Sequence, residues 1–535
     1  MATSIGSQLS LVELELEQYR RERGFATALV TALTFFAFLI HGYHPYAEDG
    51  GIYLPEIKRL LDPGLYSFGA EFVVGHLRYS VFASLMAGLV RESHLSLEVV
   101  LLLVHLTSFW VTLFAAWVLA SRCYTSREAR GGAVALLAVW LTIPIAGTSL
   151  MLMDPYVTAR SISTPCALLA LVGALQFLLP RFEMEGEQGE RRRGLALCCG
   201  ALVGAGLMHP LMGAYAMGSV LLLCAVLSTN RLVRVWGTVG LGLTAVVVAA
   251  GVQLASPVES AEYQRVMLTR SYWFLSQWHW YEWIGLAAPL MILGVVALGR
   301  GRGVDAARVG LARVAMLSGV TAIVVAALFA REGAAVHQVA RLQPLRNFQL
   351  VYVVMILFVG AALGERMLRR PAWRGVAAFS MLAVVTLLVD RATFPASKHL
   401  ELPDSLTWNA GDGGNRWEKA FLWIRKNTPK DAVFAMDANY AVLDGEDAQG
   451  FRAIAERSSL PDYSKDGGTA SNKPALTEEW SQGISLQTGL GREFDAGRFA
   501  ALKSIGATWV VLERKAATGF GCAYENDEVK VCRLP

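Results

Sequence analysis

The sequence has little charge for its length and lacks the motifs of most soluble enzyme classes. Only 17% of its 535 residues are charged, while 54% are hydrophobic, whereas soluble domains are about one quarter charged. The net charge of +4 is small, and no stretch alternates aromatic with basic residues, as proteins that bind single-stranded nucleic acid do. The composition predicts a membrane protein and argues against nucleic acid as a partner.

Three further absences narrow the chemistry. No Gly-Lys-Ser/Thr phosphate loop occurs, which argues against an ATP-driven pump. No Cys-x-x-Cys or His-Glu-x-x-His pattern occurs, so we expect no metal held by protein ligands alone. Most of the seven cysteines lie in or beside apolar runs and are expected to be buried small hydrophobes. Cys522 and Cys532 instead flank a predicted hairpin turn in the polar tail, where they could form a disulfide outside the cytoplasm.

Long apolar runs dominate the chain up to residue 394. A membrane span needs about 20 apolar residues, and about eleven runs qualify or nearly qualify as transmembrane helices. Residues 1–24 contain an amphipathic pattern over 9–24 that predicts a helix on the cytoplasmic surface. The predicted spans are approximately 25–40, 98–121, 131–149, 164–180, 194–208, 213–228, 235–254, 283–299, 309–330, 348–364 and 375–390.

The basic residues indicate the orientation of these spans. Arginines cluster in the loops at 122–130, 181–193, 231–234, 300–308 and 366–374. All of these loops fall on one side of the membrane if the spans are as predicted, and the positive-inside rule places that side in the cytoplasm. The amino terminus is then cytoplasmic, and the tail 395–535 lies outside.

The tail lacks the long apolar runs that dominate the preceding chain. Asn415–Asn427 has the pattern of an amphipathic helix that ends before Thr428-Pro429. Asp431–Met436 and Thr508–Glu513 have strand patterns, Phe494–Ile505 has a helical one, and a hairpin is predicted around Asn526. The sequence therefore predicts a transmembrane domain over 25–394 and a soluble α/β domain over 395–535.

The predicted outer side carries nearly all the unusual residues. The first outer loop, 44–97, begins directly after the first span and contains Glu48-Asp49-Gly50-Gly51, in which the glycines permit a sharp turn and close approach. A pair of carboxylates here is either a solvated loop or an active site. Residues 79–90 are apolar but short, so we expect an interfacial or re-entrant helix.

Other outer residues have two readings each. Arg160 and Arg346 are either structural ion pairs or phosphate ligands, since arginine suits bidentate phosphate contact. His209 is either a helix-turn histidine or a phosphate-binding group. Trp278 and His279 belong either to an aromatic belt or to a platform for a sugar or isoprenoid.

This pattern resembles the GT-C superfamily of membrane glycosyltransferases. Members have a cytoplasmic amino terminus, an acidic motif soon after the first span, surface helices in a large first outer loop and often an outside soluble domain. The helix followed by Asn-Thr-Pro-x-Asp-Ala-Val-Phe at 421–434 is similar to the start of that domain in bacterial members. The resemblance implies a multi-pass protein of a bacterial inner membrane, with the C-terminal domain periplasmic.

The resemblance implies an enzyme that moves a sugar from a polyprenyl-phosphate carrier to a glycan, lipid or protein acceptor. Asp49 would be the general base and Glu48 would orient it or the acceptor. Asp154 lacks a second aspartate two residues on, which argues against a divalent metal bound with Asp49. Two other classes remain open: a lipid-linked glycan transporter, and a non-catalytic assembly protein. The phosphate ligands would be Arg346, Arg160 and His209, and the acceptor or sugar platform would be Tyr53, His44, Trp278 and His279.

Overall fold

The computed structural model describes residues 2–75, 78–181, 185–299, 304–369, 371–403, 405, 415–440 and 450–535. Arg300, Arg302 and Arg370, which belong to the basic loops of the predicted topology, lie outside these residues. The amphipathic pattern predicted for 9–24 depends largely on side chains that also lie outside the described part. The backbone there belongs to one unbroken helix that runs from Ala2 to His41.

Helices make up nearly all of the chain before the tail. Short 3₁₀ segments interrupt the connections at Ser271–Trp273, Leu275–Gln277 and Pro344–Asn347. The helices are α1 (Ala2–His41), α2 (Gly50–Leu61), α3 (Ala70–Val73), α4 (Phe82–Ser93), α5 (Leu97–Cys123), α6 (Arg127–Ala138), α7 (Ala159–Leu178), α8 (Glu185–Met208), α9 (Pro210–Val226), α10 (Arg231–Ala255), α11 (Ala261–Leu268), α12 (Trp280–Ala297), α13 (Val304–Phe329), α14 (Gln338–Arg341), α15 (Phe348–Met367) and α16 (Trp373–Thr393).

The protein is a multi-pass membrane protein. Among the described residues, eight helices are long and apolar enough to cross a bilayer: the Arg20–His41 part of α1, then α5, α7, α10, α12, α13, α15 and α16. The predicted spans 194–208 and 213–228 fall on α8 and α9, which are helical but are not among these eight. Helix α9 has 17 residues, and α8 begins with a charged segment that contains Arg191–Arg193.

The predicted span 131–149 is helical only as far as Ala138, where α6 ends. Pro144 lacks an amide hydrogen and disfavours helix in the residue before it, and Ala146 and Ser149 adopt φ angles of 47° and 58°. Residues 150–160 are buried throughout, so protein rather than lipid surrounds this irregular backbone. The break matters because the irregular segment carries Asp154.

Two short helices of the first outer loop pack together. Helix α2 follows the acidic turn, and α4 occupies the position of the predicted interfacial helix. Phe82 and Met86 of α4 are buried against α2 and α5, while Leu85 and Leu89 on its other face are each 39% exposed. An apolar exposed face is expected for a helix that lies along a membrane surface.

The tail contains a small mixed sheet. Its helices and strands are α17 (Arg416–Asn427), β1 (Val433–Ala435), α18 (Phe451–Ala455), β2 (Ser458–Ser459), α19 (Lys465–Asn472), α20 (Thr477–Gln487), α21 (Ala496–Ser504), β3 (Trp509–Glu513), β4 (Cys522–Glu525) and β5 (Val529–Arg533). The strand order is β2-β1-β3-β5-β4, with β1 parallel to both neighbours and the last two pairings antiparallel. The helices at 415–427 and 494–505, the strands and the final hairpin predicted from the sequence are therefore all present.

This C-terminal domain packs on the first outer loop. Lys58 of α2 donates hydrogen bonds of 2.7 Å to the Ala453 carbonyl and the Glu456 carboxylate. The Tyr66 hydroxyl donates to the Arg452 carbonyl at 2.7 Å. We use the term domain face for the side of the membrane on which this C-terminal domain lies.

A disulfide joins Cys522 to Cys532 across β4 and β5, as the sequence allowed. A disulfide is consistent with a domain outside the cytoplasm, because the cytoplasm keeps thiols reduced. All seven cysteines lie in the described residues, and the other five are free.

We expect protein unfolded without reductant to expose five alkylatable thiols, and reduction to raise the number to seven. Mass spectrometry after maleimide labelling counts them. Replacing both Cys522 and Cys532 by Ser removes a cross-link between residues ten apart, which should lower the free energy of unfolding of the domain by about 2–3 kcal/mol. Cys199→Ser is the control and should leave the free energy of unfolding unchanged. Seven reactive thiols before reduction would contradict the assignment.

Candidate functional site

The acidic turn, Glu48–Gly51, forms the start of α2. Asp49 is the N-cap residue, and the amides of Ile52 and Tyr53 donate to its carbonyl oxygen. Glu48 has a φ angle of 46°, a left-handed conformation that costs a non-glycine residue about 1–3 kcal/mol. The turn is held in this strained form by the packing around it.

The two positions after Asp49 leave little space for a side chain, and Gly50 leaves the least. A Cβ atom on Gly50 would lie 2.3 Å from the Pro45 carbonyl oxygen, and one on Gly51 would lie 3.2 Å from the Cα of Gly450. Gly450 in the C-terminal domain has a φ angle of 78°, and a Cβ there would lie 2.8 Å from the Tyr46 carbonyl oxygen. The sequence predicted close approach at the two glycines, and the group that approaches Gly51 is the protein's own C-terminal domain.

Arg160 lies between two carboxylates. Its Nη1 donates to Asp49 Oδ2 at 2.6 Å, and its Nη2 donates to Asp154 Oδ2 at 3.4 Å. The side chain of Arg160 is only 3% exposed and that of Asp154 is 7% exposed, whereas Asp49 is 29% exposed. The irregular segment after α6 therefore brings Asp154 to the first turn of α7, and Asp49 is the member of the trio that faces an accessible space.

Arg346 belongs to the same charge cluster. It lies in the 3₁₀ turn before α15, and its positive charge is close enough to help stabilise the Asp49 carboxylate. It also borders a small cavity with Thr148 and Tyr272. Within the described part of the chain, the buried Nε atoms of Arg346 and Arg160 have no hydrogen-bond partner. Leaving such a donor unpaired is costly, so both guanidinium groups have capacity for a further acceptor.

The C-terminal domain supplies a further charged group, which the sequence did not identify. Lys465 Nζ, at the start of α19, lies 2.6 Å from Glu48 Oε2, and its side chain is 17% exposed. Asp462 accepts the Lys465 amide at 2.6 Å and so fixes the start of this helix. No sequence signal distinguishes Lys465 from other lysines of the polar tail, because its role depends on docking of the domain.

These charges set the protonation states of the site. Burial alone would raise the pKa of Asp49, but Arg160 and Lys465 outweigh it and hold the pKa well below its usual range. Burial raises the pKa of Asp154 to about 6, against the opposing effect of Arg160. Two carboxylates that share one arginine thus titrate separately, with Asp49 ionised at all ordinary pH values.

An apolar groove reaches the first turn of α7. Its cavity volume is about 400 Å³, and it lies between α4, α5 and the first half of α7. Ser161 and Ile162, directly after Arg160, are part of its wall. Its other lining residues include Leu85, Leu89, Leu103, Val104, Pro165 and Cys166.

The remaining predicted site residues divide between this cluster and other places. Tyr53 is buried near Asp49 and Arg160, which both affect its pKa, although burial is the largest cause of the rise. His209 is the N-cap of α9 and accepts the Met212 amide, which is the helix-turn role weighed from the sequence. Trp278 is buried, and a Cβ on Gly147 would lie 2.6 Å from its ring.

The other two candidates for the sugar platform lie apart. His279 caps α12 and stacks on Tyr281 at 5.2 Å between ring centroids, next to Trp280, which is 76% exposed. This favours the aromatic-belt reading. His44 is completely buried and belongs to a separate cluster with Asp390 and His399.

Asp49 and Asp154 are poorly arranged for a shared metal. The guanidinium of Arg160 already lies between their Oδ2 atoms, and a bridging cation would have to displace it.

No protein-family model matches the chain, and no curated protein is detectably similar to it in sequence.

We expect Gly50→Ala to disturb the acidic turn. Its methyl group would collide with the rigid Pro45 carbonyl, so the free energy of unfolding should fall by about 1–3 kcal/mol. Thermal unfolding of the purified protein in detergent measures the change. Gly88→Ala is the matched control: it lies in α4, nothing lies within 4 Å of the added Cβ, and alanine favours helix. Equal midpoints for the two variants would contradict the proposed crowding.

Proposed function

We propose that this protein is a membrane glycosyltransferase of the GT-C type, which moves a sugar from a polyprenyl-phosphate carrier to an acceptor on the extracytoplasmic side. The observation that carries the proposal is the conjunction of two features: buried arginines with unpaired Nε–H groups beside an ionised aspartate, and an apolar groove that reaches Ser161, the residue after Arg160. Such a site suits a ligand with an anionic head and a long apolar tail.

The head group follows from the arginines. A buried guanidinium needs an anionic partner, and Arg346 and Arg160 each have an unused Nε–H donor. Phosphate oxygens accept arginine hydrogen bonds in pairs. A phosphate between the two side chains would satisfy donors that the protein itself leaves unsatisfied.

The groove indicates how the apolar chain of the lipid carrier would bind. Most of its wall is apolar, with Ser93, Thr107, Ser108 and Ser161 as its polar members, and it lies beside the exposed face of α4, which we place at the membrane surface. A lipid chain could therefore enter from the bilayer without crossing water. Its path would end at Ser161, next to Arg160, which places the head group at the domain face where a water-soluble acceptor arrives.

The reaction needs a base and a stabilised leaving group. An acceptor hydroxyl attacks the anomeric carbon while the bond from that carbon to the phosphate oxygen breaks, and the hydroxyl proton passes to Asp49. The electrons of the broken bond remain on the polyprenyl phosphate, whose charge Arg160 and Arg346 stabilise. Attack opposite the leaving group inverts the configuration at the anomeric carbon.

The ion pair between Asp49 and Arg160 couples binding to basicity. In the free protein Arg160 makes Asp49 a weak base, because it depresses the pKa of that carboxylate. A phosphate that accepts from Arg160 Nε brings negative charge to the same guanidinium and offsets part of its effect on Asp49. The pKa of Asp49 then rises toward its usual range, so the base becomes effective only when the donor is present.

Glu48 and Lys465 place the C-terminal domain over this chemistry. Their ion pair closes one side of the acidic turn, and Gly450, the residue before α18, packs against Gly51. The domain would therefore cover the acceptor and exclude water. The role proposed for Glu48 is to position this cover together with the turn.

We expect Asp49→Asn to reduce transfer by at least about 100-fold, the usual effect of losing a general base, while binding of undecaprenyl phosphate stays within a few-fold of wild type. Arg346→Gln should instead weaken that binding by about 10-fold or more, since a charged hydrogen bond is lost. Cell-envelope glycan profiling by mass spectrometry reads out transfer, and native mass spectrometry in detergent reads out binding.

Asp62→Asn and Arg331→Gln are the matched controls. Asp62 pairs with Lys430 at 2.8 Å on the exposed surface, and Arg331 is exposed at the end of α13, so neither should affect transfer or binding. Unchanged glycans in Asp49→Asn would contradict the enzyme. Loss of glycan export with transfer intact in detergent would favour the lipid-linked glycan transporter.

We expect Val104→Trp to weaken undecaprenyl phosphate binding by about 10-fold, because the indole would fill part of the groove. Leu243→Trp, at a position of α10 that is 59% exposed, is the control and should bind normally. Solubility in detergent and the melting midpoint test whether both variants fold. Normal binding by Val104→Trp would remove the groove from the proposal.

A further inference from the structure

A second polar cluster lies away from the acidic turn, at the end of α1 where the connector to the C-terminal domain passes. It consists of His44, Asp390 at the end of α16, and His399 in the connector. His44 and Asp390 have side chains that are 0% exposed, and His399 is 23% exposed. One ligand atom from each of the three side chains lies within 4.8 Å of the other two.

Each histidine has one ring nitrogen that points away from Asp390 and faces a hydrogen-bond acceptor. These acceptors fix which ring nitrogen carries hydrogen. His399 Nε2 lies 2.7 Å from the Leu39 carbonyl, which can only accept, so Nε2 donates. His44 Nδ1 lies 3.2 Å from the Glu401 carboxylate and likewise donates. In the neutral rings, the lone pairs are therefore on His399 Nδ1 and His44 Nε2.

Both lone pairs converge on one carboxylate. His399 Nδ1 lies 2.8 Å from Asp390 Oδ2, and His44 Nε2 lies 3.7 Å from the same oxygen. Lone pairs do not face a carboxylate oxygen without a cation between them. Within the described residues, His44 Nε2 and Asp390 Oδ1 are buried and have no hydrogen-bond partner. The cluster therefore needs extra protons or a metal ion.

The geometry points to a divalent metal site, with His44 Nε2, His399 Nδ1 and Asp390 as ligands and zinc as the ion best matched to them. Two ligands of a tetrahedral zinc, each about 2.1 Å from the ion, are about 3.4 Å apart, and the observed separations of 2.8 and 3.7 Å bracket that value. A carboxylate and a carbonyl on the far nitrogens are the usual outer partners of zinc-bound histidines.

The backbone also leaves space for this cluster. Gly42 has a φ angle of 73°, and a Cβ there would lie 2.7 Å from the His399 carbonyl oxygen and 2.8 Å from His44 Nε2. The Tyr43 amide donates to the His399 carbonyl and the Glu401 amide donates to the Tyr43 carbonyl, both at 2.9 Å. These bonds hold the two ligand-bearing segments in register, so the ion would join α1, α16 and the connector.

Zinc binding tests the site without any transfer assay, so its outcome is separate from that of the proposed function. The full-length protein in detergent is stripped with a chelator and titrated with zinc against a chromophoric competitor, and bound metal is counted by mass spectrometry. Wild type should bind one zinc per chain and melt at a higher temperature with zinc. His399→Gln and Asp390→Asn should bind at least about 100-fold more weakly, and Glu401→Gln about 10-fold more weakly.

His337→Gln is the matched control. His337 also pairs with a carboxylate, Glu259 Oε2 at 2.6 Å, and its Nε2 contacts the Glu332 carbonyl at 3.1 Å, so both ring nitrogens are used. This variant should bind zinc like wild type. Should a ligand variant fail to fold, the zinc dependence of the wild-type melting midpoint still decides the question. A wild-type protein that takes up no zinc overturns the proposal and assigns protonated histidines to the cluster, as does wild-type affinity in His399→Gln.

Discussion

A guanidinium whose side chain is only 3% exposed must be paired, and the organisation of the candidate site follows from that requirement. Arg160 begins α7, and its partners come from the acidic turn and from the irregular segment after α6. Removing either carboxylate would leave a buried charge partly uncompensated, which costs several kcal/mol. The pairing therefore explains why a non-helical segment that contains Asp154 is retained inside an otherwise helical domain.

The C-terminal domain is part of the site rather than an appendage. Lys465 pairs with Glu48, and Gly450 packs against the acidic turn so closely that a side chain on Gly51 would not fit without movement. Exchange of a large acceptor would therefore require this contact to open. The pair, whose side chains are 17% exposed for Lys465 and 39% exposed for Glu48, would then help to direct docking of the domain.

Hydropathy and charge predicted the coarse fold because every segment that crosses lipid must be an apolar helix of about 20 residues. The hairpin and its disulfide also agree with the sequence analysis. Asp49, Arg160 and Arg346 lie together, as their common place on the predicted outer side of the membrane allowed. The end of α6 at Ala138 was missed because burial by protein relieves the demand for helix that lipid would impose. Lys465 was missed because side-chain pairing between distant segments leaves no periodic trace.

The two polar clusters act on the same short stretch of chain. His44 lies five residues before Asp49, so the proposed metal would fix the start of the stretch while Arg160 fixes its end, with Pro45 pressed against Gly50 between them. In the proposed function, a base held at both ends would lose little freedom when substrate binds, which would favour reaction. Under the same proposal, motion during turnover would belong to the C-terminal domain, and phosphate binding at Arg160 would be the step that changes the basicity of the site.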